Sequence, residues 1–139
     1  MKEEVLKFIR DHQECVLATI APSGQPEAAT VLFAVDDNFT FYFGTKKEYR
    51  KYKNLLENGN VAVVVGTSGK DPRTAQIEGK VEMLNDEHGI TAAKEVLKQN
   101  PAMVPFLSLP LVYLQLKPTW LRYLDETKGE IDNFQQVLP

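Results

Sequence analysis

The sequence predicts a mainly-β α+β fold: an antiparallel barrel, closed or nearly so, with about three helices spliced between its hairpins. Three observations carry this. About seven short segments are rich in β-formers or alternate apolar and polar residues, and turn signals separate them. The first three are joined by short turns, so two hairpins in a row open the fold. Helical patterns are few and do not alternate regularly with strands, which disfavours a doubly wound parallel sheet.

The elements follow in order. Lys2 to His12 reads as a short amphipathic helix, with Val5, Phe8 and Ile9 at helical spacing. Cys15 to Ile20 is a strand, and Ala21-Pro22-Ser23-Gly24 a turn, because Pro fixes φ and Gly permits positive φ. Glu27 to Val35 is a second strand. After the turn Asp36-Asp37-Asn38, Phe39 to Gly44 is a third, with Phe39, Phe41 and Phe43 on one face. A basic helix spans about Lys46 to Glu57 and stops at Asn58-Gly59. Val61 to Val65 is an uninterrupted apolar run, which predicts a strand covered on both faces. A polar loop leads to a long strand, Thr74 to Leu84, where Gly79 suggests a bulge or bend. Asp86 to Gln99 is a helix, with Asn85 as its candidate cap. Ala102 to Pro110, with two prolines, is irregular. Two strands follow, Leu111 to Lys117 and Thr119 to Asp125, broken at Pro118; Glu126 to Pro139 is a polar tail with Phe134 as an apolar anchor.

With 139 residues, one domain (1–139) is expected. A hydrophobic share of 43% is ordinary for a globular chain and argues against disorder throughout. The formal net charge of −3 argues against a general binder of nucleic acid or anionic membrane, so an anion site must be a local basic patch. The one cysteine, Cys15, cannot form an internal disulfide; it reads as a buried strand residue, and a reducing cytoplasm suits it. No apolar stretch approaches the roughly 20 residues a membrane span needs, and the charged MKEEVLKFIRDH does not suit a signal peptide.

Five of the eight residues from Lys46 to Lys53 are Lys or Arg. Thr45-Lys46-Lys47-Glu48 has the capping-box pattern, which predicts Thr45 as N-cap and sets Lys46, Lys47, Arg50 and Lys51 in the first two turns. Each cation there opposes the helix dipole by about 0.3–1 kcal/mol. A bound phosphate would reverse the sign, because helix starts accept anions and Arg adds paired hydrogen bonds. A solvated lysine-rich face is the competing reading, and this stretch alone leaves the two even.

The order of motifs is more telling. SGQPEAATVLF, a turn, FYFGT, then RKYKNL, ENGNVAVVV and a strand with QIEGKVE resemble the pyridoxamine 5'-phosphate oxidase-like FMN-binding family, with a weaker echo at KPTWLRYLD. The resemblance implies a six-stranded split barrel that dimerises with FMN at the interface and acts on a small redox substrate. It implies that Thr30, Val31 and Leu32 border the flavin ring. Gly44 and Thr45, with Lys46 beside them, would lie near the phosphate and ribityl chain, and Arg50 and Lys51 would bind the phosphate. Thr74 would lie near the flavin, and Trp120 would come from the partner chain. Departures bear on chemistry. Pyridoxamine phosphate oxidases carry Arg where this chain has Ala29, and an Arg- and His-rich C-terminal motif where it has LRYLDETKGEIDNF. The resemblance therefore implies the flavin site without vitamin B6 oxidation.

Other chemistries lack their residues. His12 and His88 are the only histidines, so a His/Cys metal cluster is unsupported, and no nucleophile elbow or phosphate-loop glycine pattern occurs. Three functions remain: an FMN-dependent oxidoreductase, a flavin carrier without turnover, and a small barrel binding single-stranded nucleic acid. The last needs a longer basic stripe than one helix start supplies. A deazaflavin or haem in the same groove stays open.

Overall fold

The computed structural model describes residues 2–128 and 138. Its seven strands are β1 (Glu14–Ile20), β2 (Pro26–Leu32), β3 (Ala34–Val35), β4 (Phe41–Thr45), β5 (Asn60–Val65), β6 (Arg73–Leu84) and β7 (Val112–Asp125). They form one antiparallel sheet in the order β2-β1-β5-β6-β7-β4-β3. The expected second strand is thus two, because the chain leaves the sheet at Phe33. β2 and β3, one residue apart in sequence, stand at opposite ends of the sheet. Counted as one bent strand, they curl the sheet into a six-stranded split barrel, and each is left with one strand neighbour.

The barrel interior follows from strand alternation. Cys15 and Leu17 of β1, Phe41 and Phe43 of β4, Val61, Val63 and Val65 of β5, Ala75 and Ile77 of β6, and Leu114, Leu116, Leu121 and Tyr123 of β7 join one core. Each fully buried Phe, Leu or Val contributes about 1.5–3 kcal/mol. Phe39 lies in the core but not in a strand. Asp36 Oδ1 accepts from the amides of Asn38 and Thr40, both at 2.9 Å, and this turn holds Phe39 at φ 62°. Core burial of a bulky ring offsets a conformation such residues rarely adopt.

Gly79 sits at a register shift between β6 and β7, as expected. A Cβ there would meet Leu116 and the backbone of Lys117, both at 2.7 Å. Pro118 lies opposite this bulge, so it interrupts no regular ladder. The two expected C-terminal strands are therefore one, β7.

Helices close the curled sheet. α1 (Lys2–Arg10) buries Val5, Leu6, Phe8 and Ile9. α2 (Arg50–Glu57) packs on β1 and ends at Asn58, whose amide donates to the Asn54 carbonyl. α3 (Glu87–Leu97) lies against β3, β4 and β7 over a second apolar cluster that includes Ala34, Ala93, Leu97, Met103 and Tyr113. Its cap is Asp86 rather than Asn85: the Asp86 carboxylate accepts from the Gly89 amide at 2.6 Å. Asn85 is one residue too early to reach that amide. Phe134 falls outside the described residues.

The opposite outer face has no such cover among the described residues. Along β5, buried Val61, Val63 and Val65 alternate with exposed Asn60 and Ala62 and half-buried Val64. The expectation of cover on both faces fails within one chain. Val16 and Ala18 of β1 pair with Val64 and Ala62, and Ala28 and Thr30 of β2 extend the same face.

Candidate functional site

Strand pairing decides where the basic helix starts. Thr45 is the last residue of β4, paired with Val112 and buried. It cannot cap a helix, and the capping-box expectation is overturned. Lys46, Lys47 and Glu48 form a turn, Tyr49 is the N-cap without a side-chain cap bond, and Arg50 and Lys51 open α2. The positive end of the dipole therefore lies at Arg50, with the N-cap four residues later than Thr45. The first turn holds no acidic residue.

Arg50 and Lys51 line a cavity of about 330 Å³ with Leu17, Thr19 and Glu27–Ala29 of β1 and β2, and with Glu48 and Tyr49. Burial pulls the Lys51 ammonium below its ordinary value, and its Nζ lies 4.5 Å from the centre of the Tyr49 ring. Behind the cations lies a hydrogen-bond chain. Arg50 Nη1 is 3.0 Å from Glu27 Oε2. Asn54 Nδ2 donates to the other Glu27 oxygen at 2.7 Å and to Thr19 Oγ1 at 3.0 Å. Asn54 is 3% exposed and Thr19 3% exposed, so this polar chain is built into the barrel end. Sequence reasoning missed Thr19, Glu27 and Asn54. Thr19 and Glu27 sit at inward positions of strands, where an apolar residue is the rule, and that was the available signal.

An ester phosphate fits this corner: two cations and a helix start without a side-chain cap converge on it. The Thr45 hydroxyl is buried with no hydrogen-bond partner, an orphan donor where β4 runs into the basic turn.

The other predicted residues fall into separate places. Thr30 is exposed on the uncovered outer face. On the same sheet, Trp120 pairs opposite Glu78 and Thr74 opposite Leu124. Val31 packs against the main core, Leu32 against the second cluster. Gly44 lies beside Met103, Leu111 and Tyr113 of that second cluster, away from the corner. Lys46 lines a cavity with Tyr49 and Leu109–Leu111. One chain brings together only Arg50 and Lys51.

A cavity of about 630 Å³ lies elsewhere, lined by residues including Arg10, Phe33 and Asn100. Two of its polar side chains, Arg10 and Asn100, are already paired. Arg10 donates to the Val35 carbonyl and to Asp37 Oδ1 at 2.7 Å, and Asn100 Nδ2 donates to the carbonyls of Gln13 and Phe33. The smaller corner, where no ion pair neutralises Lys51 among the described residues, is the better candidate on chemistry.

Fold and corner together define a small split-barrel protein with a cationic end. The chain belongs to the pyridoxamine 5'-phosphate oxidase family, whose model matches residues 1–125. A pyridoxine/pyridoxamine 5'-phosphate oxidase of Ehrlichia ruminantium is 35% identical over 86 residues, 61% of this chain and 44% of that protein. The chain thus spans less than half the length of such curated relatives. A conserved hypothetical protein of Mycobacterium tuberculosis superposes with a TM-score of 0.77 at 21% identity, covering 93% of this chain and 87% of that one. A heme binding protein of Mycobacterium smegmatis superposes with a TM-score of 0.72 at 16% identity, covering 89% and 54%. These likenesses show the fold.

Proposed function

We propose that this chain binds FMN, two per homodimer, and acts as an oxidoreductase on a small substrate. The observation that carries the reading is the convergence of Arg50 and Lys51, at the start of α2, on one cavity bounded by β2. Family membership supports it. Arg50 and Lys51 would hold the phosphate by charge and hydrogen bonds. Thr45 would offer its buried hydroxyl near the ribityl chain. Thr30, Val31 and Leu32 would run beside the ring, and Thr74 would lie near it. The uncovered face of β1, β2 and β5 would receive the second chain, which would bring its Trp120 and enclose the flavin. The bound FMN supplies the hydride and single-electron chemistry, while the protein orients it and excludes water.

Absorbance of the purified protein after incubation with FMN tests the reading. Flavin bands that survive gel filtration are expected; no flavin uptake overturns it, and a haem Soret band would move the groove to another ligand. Arg50→Ala combined with Lys51→Ala is expected to weaken FMN binding about 100-fold or more, since each lost charge-assisted bond is worth about 1.5–3 kcal/mol. Unchanged affinity in a folded double variant removes the assigned phosphate corner. Oxidation of reduced nicotinamide by the FMN-loaded protein distinguishes an enzyme from a flavin carrier.

A further inference from the structure

The geometry points to Glu27 as a built-in counter-ion that occupies the anion corner before any ligand does, so that phosphate binding is a competition with this carboxylate for Arg50. The inference rests on the phosphate corner proposed above and deepens it.

The two partners are unequal. The Glu27 side chain is 18% exposed and the Arg50 side chain 79% exposed. The carboxylate is fixed: one oxygen takes the Asn54 amide at 2.7 Å, and Asn54 is itself tied to Thr19. The other oxygen faces the guanidinium at 3.0 Å. Arg50, in contrast, reaches inward from solvent and can turn away at small cost, as an exposed partner of an ion pair does. An incoming phosphate at the start of α2 meets both the cations and, behind them, a carboxylate that cannot withdraw. Like charge at such range opposes the dianion, and partial burial sharpens the opposition. The free protein thereby has its exposed cation neutralised from within. The corner then discriminates between anions: a singly charged carboxylate ligand gains little by replacing Glu27, whereas a phosphate ester brings more charge and more acceptor oxygens.

Glu27→Gln removes the charge and keeps an oxygen for Asn54. The variant is expected to bind FMN about tenfold more tightly at low salt, with riboflavin, which lacks the phosphate, bound as before. Inorganic phosphate, titrated against the Arg50 side-chain Nε–H resonance, is expected to saturate at lower concentration in Glu27→Gln than in the parent. Glu27→Ala, which removes charge and hydrogen bond together, is expected to shift phosphate affinity the same way, and thermal melts identify a variant that fails to fold. If Glu27→Gln weakens FMN binding or leaves it unchanged while Arg50→Ala weakens it, the phosphate corner stands and the competition is wrong; Glu27 then positions Arg50. If Arg50→Ala changes nothing and riboflavin binds as well as FMN, the phosphate corner itself is wrong. The phosphate titration still judges Glu27 in that case: no gain in Glu27→Gln overturns the inference.

Discussion

Gly79 has no space for a methyl group, and the neighbours that exclude it include backbone. Gly79→Ala is expected to destabilise the fold by about 1–3 kcal/mol in urea denaturation, the usual cost of overpacking. Asn100 gives a second residue-scale expectation. It is 6% exposed and bridges the carbonyls of Gln13 and Phe33, tying the start of β1 to the bend between β2 and β3. Asn100→Ala leaves both carbonyls without that donor and is expected to cost about 2 kcal/mol or more. Cys15 is 2% exposed, and burial with the neighbouring Glu14 pushes its thiol from 9.0 up to about 12. The sign follows: the folded state holds this proton more tightly than the unfolded chain. The contribution is complete below pH 9.0 and is lost as pH rises toward about 12. Denaturation midpoints measured from pH 8 upward are expected to fall more steeply for the parent than for Cys15→Ala.

At the scale of elements, α3 is set by a cap that one substitution tests. Asp86→Ala removes the acceptor of the Gly89 amide and is expected to cost about 1 kcal/mol, read by urea titration, whereas Asn85→Ala is expected to change little. α2 shows how pairing overrides a local pattern. Thr45 and Glu48 have the right types and spacing for a capping box, yet pairing with β7 keeps Thr45 in β4 and shifts the helix start to Arg50. The same shift gathers Arg50 and Lys51 at the first turn and sets Lys46 and Lys47 before it. Gly59, expected with Asn58 as a helix stop, has a further cause. Its carbonyl accepts from the Val81 amide at 2.8 Å, and a Cβ would meet the Val81 carbonyl at 2.8 Å. Close approach of α2's end to β6 demands the glycine.

For the whole molecule, the two outer faces of the curled sheet differ. α3 and the segment after it cover β3, β4 and β7. The face of Val16, Ala18, Ala62 and Val64 lies open among the described residues. A homodimer closing on this face is the arrangement that the proposed flavin site requires, and sedimentation is expected to report a dimer. Ala62→Arg is expected to give a folded monomer with much weakened FMN binding. A monomer of the parent chain that binds FMN fully would contradict it.

Strand positions, turns, the Gly79 bulge and the order of motifs were legible in the residues, because alternation, turn chemistry and glycine placement act over a few neighbours. The family could be read from FYFGT, RKYKNL and QIEGKVE for the same reason. Three things depended on contacts between segments far apart in sequence. Val61 to Val65 read as buried on both faces, but which face a sheet covers is set by where α3 packs. Thr45 read as a cap because its pairing with Val112 is invisible locally. The Thr19–Asn54–Glu27–Arg50 chain joins three segments across 27 and 35 residues, and no local pattern encodes it. Local preferences fix what each segment is. Only the curl of the sheet, which brings β2 against the start of α2, decides which charges meet.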